Sequence, residues 1–181
     1  QFQIDYGSAP EAAVASFNAL YPIAICQVQV SNFTGALEAI KAALEKQPPN
    51  PQTKLTDAQR HDLTFWMGLC ELQEKNYPAA REAMEKFISF FPPGSEKNRN
   101  FVRQNPAAGR LSEARTSIGT SYILEGKYQE AADFYAKLKP TLSPDARGRA
   151  VIFQLYALEQ LGDFDGALKV VNEEYPNMSD I

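Results

Sequence analysis

The chain has 181 residues, 44% of them hydrophobic and 22% charged, with a formal net charge of -4. A chain of this length buries roughly two thirds of its unfolded surface, so one or at most two compact units hold together without metal or disulfide. Two cysteines and one histidine supply little for either, and the acidic balance argues against a general binder of nucleic acid or anionic membrane, both of which draw on surplus Lys and Arg.

The sequence starts at Gln1 without a methionine, and no basic segment followed by an apolar run opens it, which reads as a targeting peptide removed or lying outside this sequence. Between Glu11 and Glu38 lie 26 uncharged residues, enough for the roughly 20 apolar residues of a membrane span. Asn18, Gln27, Gln29, Ser31 and Asn32 interrupt the run and Pro22 stands in its middle, so it reads as a buried helix pair, near 9 to 30 and 33 to 46. Gln47-Pro48-Pro49-Asn50-Pro51 then prevents a continuous helix. Thr56 with Gln59 forms a capping box that opens a helix near 57 to 74, and another follows near 78 to 91. Phe91 to Pro106, with Pro92, Pro93, Gly94 and several Asn residues, reads as a loop between hairpins. Asn105-Pro106 restarts helices near 107 to 125 and 128 to 139, and Ser143-Pro144-Asp145 restarts helices near 144 to 161 and 164 to 174. Apolar residues recur at helical spacing, as in Leu63, Trp66, Met67 and Cys70 and again in Ala80, Met84, Phe87 and Ile88; no long period-two stretch predicts a sheet.

Four segments share an aromatic residue followed by Ala three positions later: Phe33 and Ala36, Tyr77 and Ala80, Tyr128 and Ala131, Phe164 and Ala167. Twelve residues before these alanines stand Ala24, Gly68, Gly119 and Leu155, three of them small; four residues after stand Ile40, Met84, Tyr135 and Val171. Small residues on both helices allow a close antiparallel approach, with the aromatic plugging the turn. In Gly68, Tyr77, Ala80 and Pro92, and again in Gly119, Tyr122, Tyr128, Ala131 and Tyr135, the chain resembles the tetratricopeptide repeat family. The resemblance covers about Phe17 to Pro176. Leu155 and Pro22 depart from the pattern in the last and first copies, and Thr64 and Arg115 stand where the family often has Trp or Leu. The repeat alanines are 44, 51 and 36 residues apart, so insertions must lengthen the family period of about 34.

What the resemblance implies is an all-α, right-handed superhelical solenoid of about four antiparallel hairpins in a single domain, at about 9–46, 57–91, 107–139 and 144–174. First helices line the concave surface of such proteins, at positions 18, 15, 11 and 8 residues before the repeat alanine. Here those positions include Tyr21 and Ile25; Phe65, Leu69 and Leu72; Thr116 and Thr120; and Ile152 and Tyr156, with Asn18, Val28, Asp62, Glu113, Ile123, Arg149 and Glu159 beside them. Chaperone-adaptor members grip a terminal carboxylate with Lys, Arg and Asn at these places, and the first two repeats offer almost none. An apolar, aromatic face suits an amphipathic helix or apolar peptide segment; the competing occupant is the chain's own segment Gln1 to Tyr21.

Local chemistry is sparse. His61 is nine residues from Cys70, about 13 Å along one helix, so they form no nucleophile and base pair, and His61 reads as a surface residue near a helix start. Cys26 and Cys70 occupy equivalent repeat positions that stacking holds about 8–10 Å apart or more, beyond disulfide reach, and read as free, buried thiols. No phosphate loop, zinc spacing or calcium loop is present, and acidic pairs such as Glu173-Glu174 read as solvated or capping groups. One basic loop stands out: Lys97, Arg99, Arg103, Arg110 and Arg115 against only Glu96 and Glu113.

The expectation is a non-enzymatic protein-protein interaction scaffold with no cofactor or metal, binding a protein or peptide partner in the apolar groove. The alternative is an accessory domain of a larger enzyme or of an envelope or secretion assembly, recognising an anionic ligand through the loop 97–115. Nucleic acid is not the expected partner and no transmembrane segment is expected. The degenerate repeats resemble those of bacterial envelope lipoproteins, and with the missing methionine this favours a bacterial periplasm or envelope over the cytoplasm. Leu168, Val170 and Val171 are expected to leave an apolar edge that a longer repeat array or homo-oligomer would cover.

Overall fold

A computed structural model describes residues 10–46, 49–50 and 53–178. Among them are nine α-helices and no strand: α1 (Pro10–Gln29), α2 (Phe33–Glu45), α3 (Asp57–Gln73), α4 (Tyr77–Ser89), α5 (Arg99–Gln104), α6 (Leu111–Leu124), α7 (Tyr128–Leu138), α8 (Pro144–Leu161) and α9 (Phe164–Met178). The chain forms two compact units, residues 1–83 and 84–181. In the first, α1 packs on α2, α2 on α3 and α1 on α3; in the second, α6 packs on α7, α7 on α8, α8 on α9 and α6 on α8. The fold is all-α and tetratricopeptide-like, built from helices packed in adjacent pairs. Helix α9 runs to Met178 rather than ending near 174, and Gln47, Pro48 and Pro51 of the expected loop, like Gln1 to Ala9, lie outside the described residues.

Every hairpin turns in the same way. Ser31, Lys75, Gly126 and Gly162, each five residues before a repeat alanine, have φ of 58°, 62°, 77° and 72°. At each, two backbone N–H groups reach back to the ending helix. The Ser31 N–H donates to the Val28 carbonyl and Asn32 to Gln27; Lys75 to Leu72 and Asn76 to Glu71; Gly126 to Ile123 and Lys127 to Tyr122; Gly162 to Glu159 and Asp163 to Leu158. These paired bonds satisfy carbonyls that the helix end orphans and reverse the chain through one left-handed residue. The next helix is then capped locally, Asn32 accepting from Gly35 N at 3.2 Å and Asp163 from Gly166 N at 2.9 Å. The expected box at Thr56 is formed, its hydroxyl accepting from Gln59 N while the Gln59 side chain accepts from Thr56 N.

The small-residue register does its expected work in both units. Ala24 and Ala36 are fully buried beside Ile40, Leu63 and Cys70. In the second unit Gly119 of α6 faces Tyr135 of α7 so closely that a methyl on Gly119 would lie 2.7 Å from Tyr135 Cε2 and Oη. Tyr135 is itself fully buried, stacked on Phe153 at 5.5 Å, with its hydroxyl donating to the Thr116 carbonyl at 3.2 Å. The aromatic plug is uneven: Phe33 and Tyr128 pack on their cores, whereas Phe164 is 69% exposed.

Two buried carboxylates tie elements together. Glu71 of α3 accepts from Lys41 of α2 at 2.9 Å and from Asn76 Nδ2 in the turn at 2.9 Å. Glu174 of α9, expected in solvent, is buried instead, because Lys139 Nζ (3.0 Å) and Arg147 Nε and Nη2 (2.9 and 3.1 Å) converge on it from the end of α7 and from α8. The Arg147 hydrogen bonds hold its carboxyl below the ordinary range against the opposing effect of burial, with Lys139 adding to them. Both cysteines are free, but only Cys70 is buried; Cys26 is exposed, since its position on α1 lies away from the α2 contact that buries Ala24. Burial, with Glu71 and Glu74 nearby, pushes the Cys70 thiol up to about 11.

Candidate partner-binding faces

In the first unit the expected groove positions are partly closed. Tyr21 is half-buried and its hydroxyl donates to Asp62 Oδ2 at 3.0 Å, joining α1 to α3. Asn18 and Tyr21, with Phe17, Leu55 and Gln59, line a pocket of about 250 Å³. Ile25, Leu69 and Leu72 are half-buried. Phe65 is only 1% exposed, edge-on to Trp66 at 5.7 Å, so it belongs to the interior and not to an accessible lining. The reason lies in where α3 sits: Leu63, Thr64 and Phe65 are three successive buried residues, and a helix buried over so wide an arc is enclosed on more than one side.

In the second unit the two first helices differ. Thr116 and Thr120 of α6 are half-buried and their hydroxyls are occupied, Thr116 donating to the Ser112 carbonyl at 2.8 Å and Thr120 sharing a 3.3 Å hydrogen bond with Tyr135. On α8, Ile152 is 60% and Tyr156 42% exposed, in line with the exposed Arg149 and Glu159. Steps of three, four and three place these four on one helix face. Tyr156 is steadied by an edge-on contact with Tyr128 at 6.4 Å. The result is an apolar centre between a cation and a carboxylate, held by a regular helix.

The basic segment is not a loop. Between Ser95 and Arg110 it folds into two short 3-10 turns flanking α5, because Asn98 accepts from the N–H groups of Asn100 and Phe101 and so starts a helix. Pro106 opens a 3-10 turn and α6 begins only at Leu111. Lys97, Arg99 and Arg103 are exposed and Arg110 is half-buried. Arg115 is held by Glu96 at 2.6 Å; burial opposes ionisation of Glu96, yet the Arg115 hydrogen bond leaves its carboxyl below the ordinary range. His61 is half-buried in α3, and burial lowers its pKa, with Asp57 opposing and Arg60 adding to the fall. Among the described residues no cluster of three His, Cys, Asp or Glu side chains is placed to hold a metal, and no helix is long and apolar enough to cross a membrane.

Sequence reasoning missed the turn residues, of which Gly126 and Gly162 were the visible signal, and an open pocket of about 360 Å³ lined by Ile88 of α4, Ile118 of α6 and Phe134 and Leu138 of α7. A tetratricopeptide repeat family model matches residues 21–95, which takes in α2, α3, α4 and most of α1. No curated protein matches the chain. Proteins of this repeat type are typically non-enzymatic scaffolds for protein-protein interaction. The match and the repeated hairpin geometry agree: the chain is similar to the tetratricopeptide repeat family, whose model covers residues 21–95.

Proposed function

We propose that the chain is a non-enzymatic scaffold that binds a helix or apolar peptide segment of a protein partner on the groove face of α8, the first helix of its hairpin, with Ile152 and Tyr156 as the anchors. The observation that carries this reading is their exposure, 60% and 42%, on a face whose neighbours Arg149 and Glu159 are also open. Aromatic anchors in such faces often carry more than about 2 kcal/mol of binding when truncated. Within the first unit Tyr21, Ile25, Leu69 and Leu72 are half-buried and form a lesser candidate face of their own, and Phe65 serves as core. A photocrosslinking residue placed at 156 in the native host tests the reading. Ile152→Glu should abolish the adduct with the partner, whereas crosslinks only from a residue at the exposed position Asp133 of α7 would refute it.

A second reading, an anionic ligand held by Lys97, Arg99 and Arg103, is supported by their exposure on one short segment. Arg99→Glu with Arg103→Glu would then abolish partner association while Ile152→Glu leaves it intact. Assembly with further helical hairpins, in a longer array or between copies, is supported by Phe164, Leu168 and Val171, exposed at helical spacing along α9; Val170, expected at that edge, is buried on α8 instead.

A further inference from the structure

The joint between one hairpin and the next has a fixed register. In the first unit Leu37 and Ile40 of α2, one and four residues after their repeat alanine, share a core cluster with Leu63 and Cys70 of α3, seventeen and ten residues before the next one. In the second unit the same offsets place Ala132 and Tyr135 of α7 in clusters with Ala157 and Ala150 of α8. All eight side chains are buried. Two other helices each carry one half of this joint and leave it open. On α9 the matching residues are Leu168 and Val171, 59% and 40% exposed, with Phe164 on the same face. On α1 they are Ala19, half-buried, and Cys26, exposed, with Ile23 at 45% between them. Steps of four and three put each set on one helix face. Among the described residues α1 packs on α2 and α3, and α9 on α8, which leaves both stripes uncovered.

The two open faces complement each other. Within the chain a large residue of a second helix meets small residues of the following first helix, as Tyr135 does with Ala146 and Ala150. Phe164, Leu168 and Val171 supply large side chains, and Ala19 and Cys26 supply small ones. Helix α1 carries no charged residue after Glu11, so it sets no charge against Asp165, Lys169 and Glu173, which flank the α9 stripe. Removing such apolar surface from water drives the joint between copies as it does within the chain. A molecule that displays both halves of one joint makes a heterologous, head-to-tail contact with its own kind.

We infer that the α9 face of one copy receives the α1 face of a second copy, repeating between molecules the register that joins α2 to α3 and α7 to α8. The inference rests on the reading that Phe164, Leu168 and Val171 mark assembly with further hairpins, and it names the occupant. The test is sedimentation equilibrium of the full chain from about 1 to about 500 μM, the range in which small interfaces associate. The parent's weight-average mass should rise with concentration, while Ile23→Glu and Leu168→Glu, both at exposed sites, should each stay monomeric. Mixed in equal amounts, the two variants should form a one-to-one complex, because the first keeps an intact α9 face and the second an intact α1 face. With the Leu168→Glu chain labelled with nitrogen-15 to distinguish it by intact mass, its Cys26 should react with maleimide at least about threefold more slowly in the mixture than alone. No complex in the mixture, or one that leaves the Cys26 rate unchanged, overturns the pairing. Self-association lost in only one of the variants overturns it and leaves assembly standing, as α9 on α9 or α1 on α1. A parent that stays monomeric at about 500 μM overturns it in favour of another protein or a further hairpin on α9. Association that survives both variants overturns it together with the assembly reading, with α8 as the contact where Ile152→Glu removes it.

Discussion

Three glycine-to-alanine substitutions should move stability in different directions, because the three glycines do different work. Gly148 lies inside α8 with open space where a methyl would go. Alanine there gains helix propensity and loses unfolded-state entropy, so Gly148→Ala should stabilise by about 0.5–1 kcal/mol. Gly162 also has open space, but at φ 72°; an L-residue in that region costs about 1–2 kcal/mol, offset by about 0.4–1 from the stiffer unfolded chain, so Gly162→Ala should lose about 0.5–1 kcal/mol. Gly119 is helical, and its new methyl would lie 2.7 Å from Tyr135 Cε2. The Tyr135 ring cannot swing away cheaply, since it is fully buried, flanked by Phe134 at 5.9 Å and Phe153 at 5.5 Å, and bonded through its hydroxyl to Thr116. Overpacking of about 1–3 kcal/mol then exceeds the helix-propensity gain, and Gly119→Ala should lose about 1–2 kcal/mol. Urea midpoints at constant m-value measure all three, and each kcal/mol corresponds to a shift of about 2–4 °C in Tm. If Gly148→Ala and Gly162→Ala shift the midpoint in the same direction, the backbone argument is wrong.

The converse substitutions Ser31→Gly and Lys75→Gly, at exposed residues already in the left-handed region, should each raise stability by about 0.5–1 kcal/mol in the same urea titration. Glu174→Gln should cost about 3 kcal/mol at neutral pH, since it leaves Lys139 buried without its carboxylate. Because Arg147 and Lys139 hold the folded Glu174 carboxyl below its unfolded value of about 4.3, its contribution is whole above that pH and is lost as pH falls through the folded value. The variant's urea midpoint should therefore show a shallower decline below about pH 4.3 than the parent's. At pH 8 a maleimide should label Cys26 in the native protein and reach Cys70, whose thiol is pushed up to about 11, only after denaturation, as read by intact mass.

Helix placement was legible because each element repeats one register of apolar residues that a 3.6-residue period detects without knowing the neighbours. The alanine register was legible for the same reason, and it leads directly to the Gly119–Tyr135 packing. What the register hides is the turn: two of the four left-handed residues in the hairpin turns are Ser31 and Lys75, residues that announce no turn, and only the paired backbone bonds reveal that they do what Gly126 and Gly162 do. Helix α5 escaped because six residues are too few for periodicity; its one local signal was Asn98, whose side chain takes two N–H groups. Glu174 was read as solvated because its partners Lys139 and Arg147 are 35 and 27 positions away, and only packing brings them to it.

The same limit governs the candidate faces. Phe65 and Ile152 both stand fifteen residues before a repeat alanine, yet one is 1% and the other 60% exposed. An identical register therefore yields a core residue on α3 and a surface residue on α8, because exposure depends on what covers the helix and not on the helix itself. At Phe65 the apolar residue is explained by the fold, and substituting it tests stability alone. At Ile152 burial explains little, since a polar side chain would suit that site at least as well, and a large apolar side chain beside Tyr156 at such a position fits a surface that meets a partner. Repeat proteins separate the two demands structurally: small residues and left-handed turns hold the hairpins together on the inside, which leaves the outward positions of the first helices free to carry recognition.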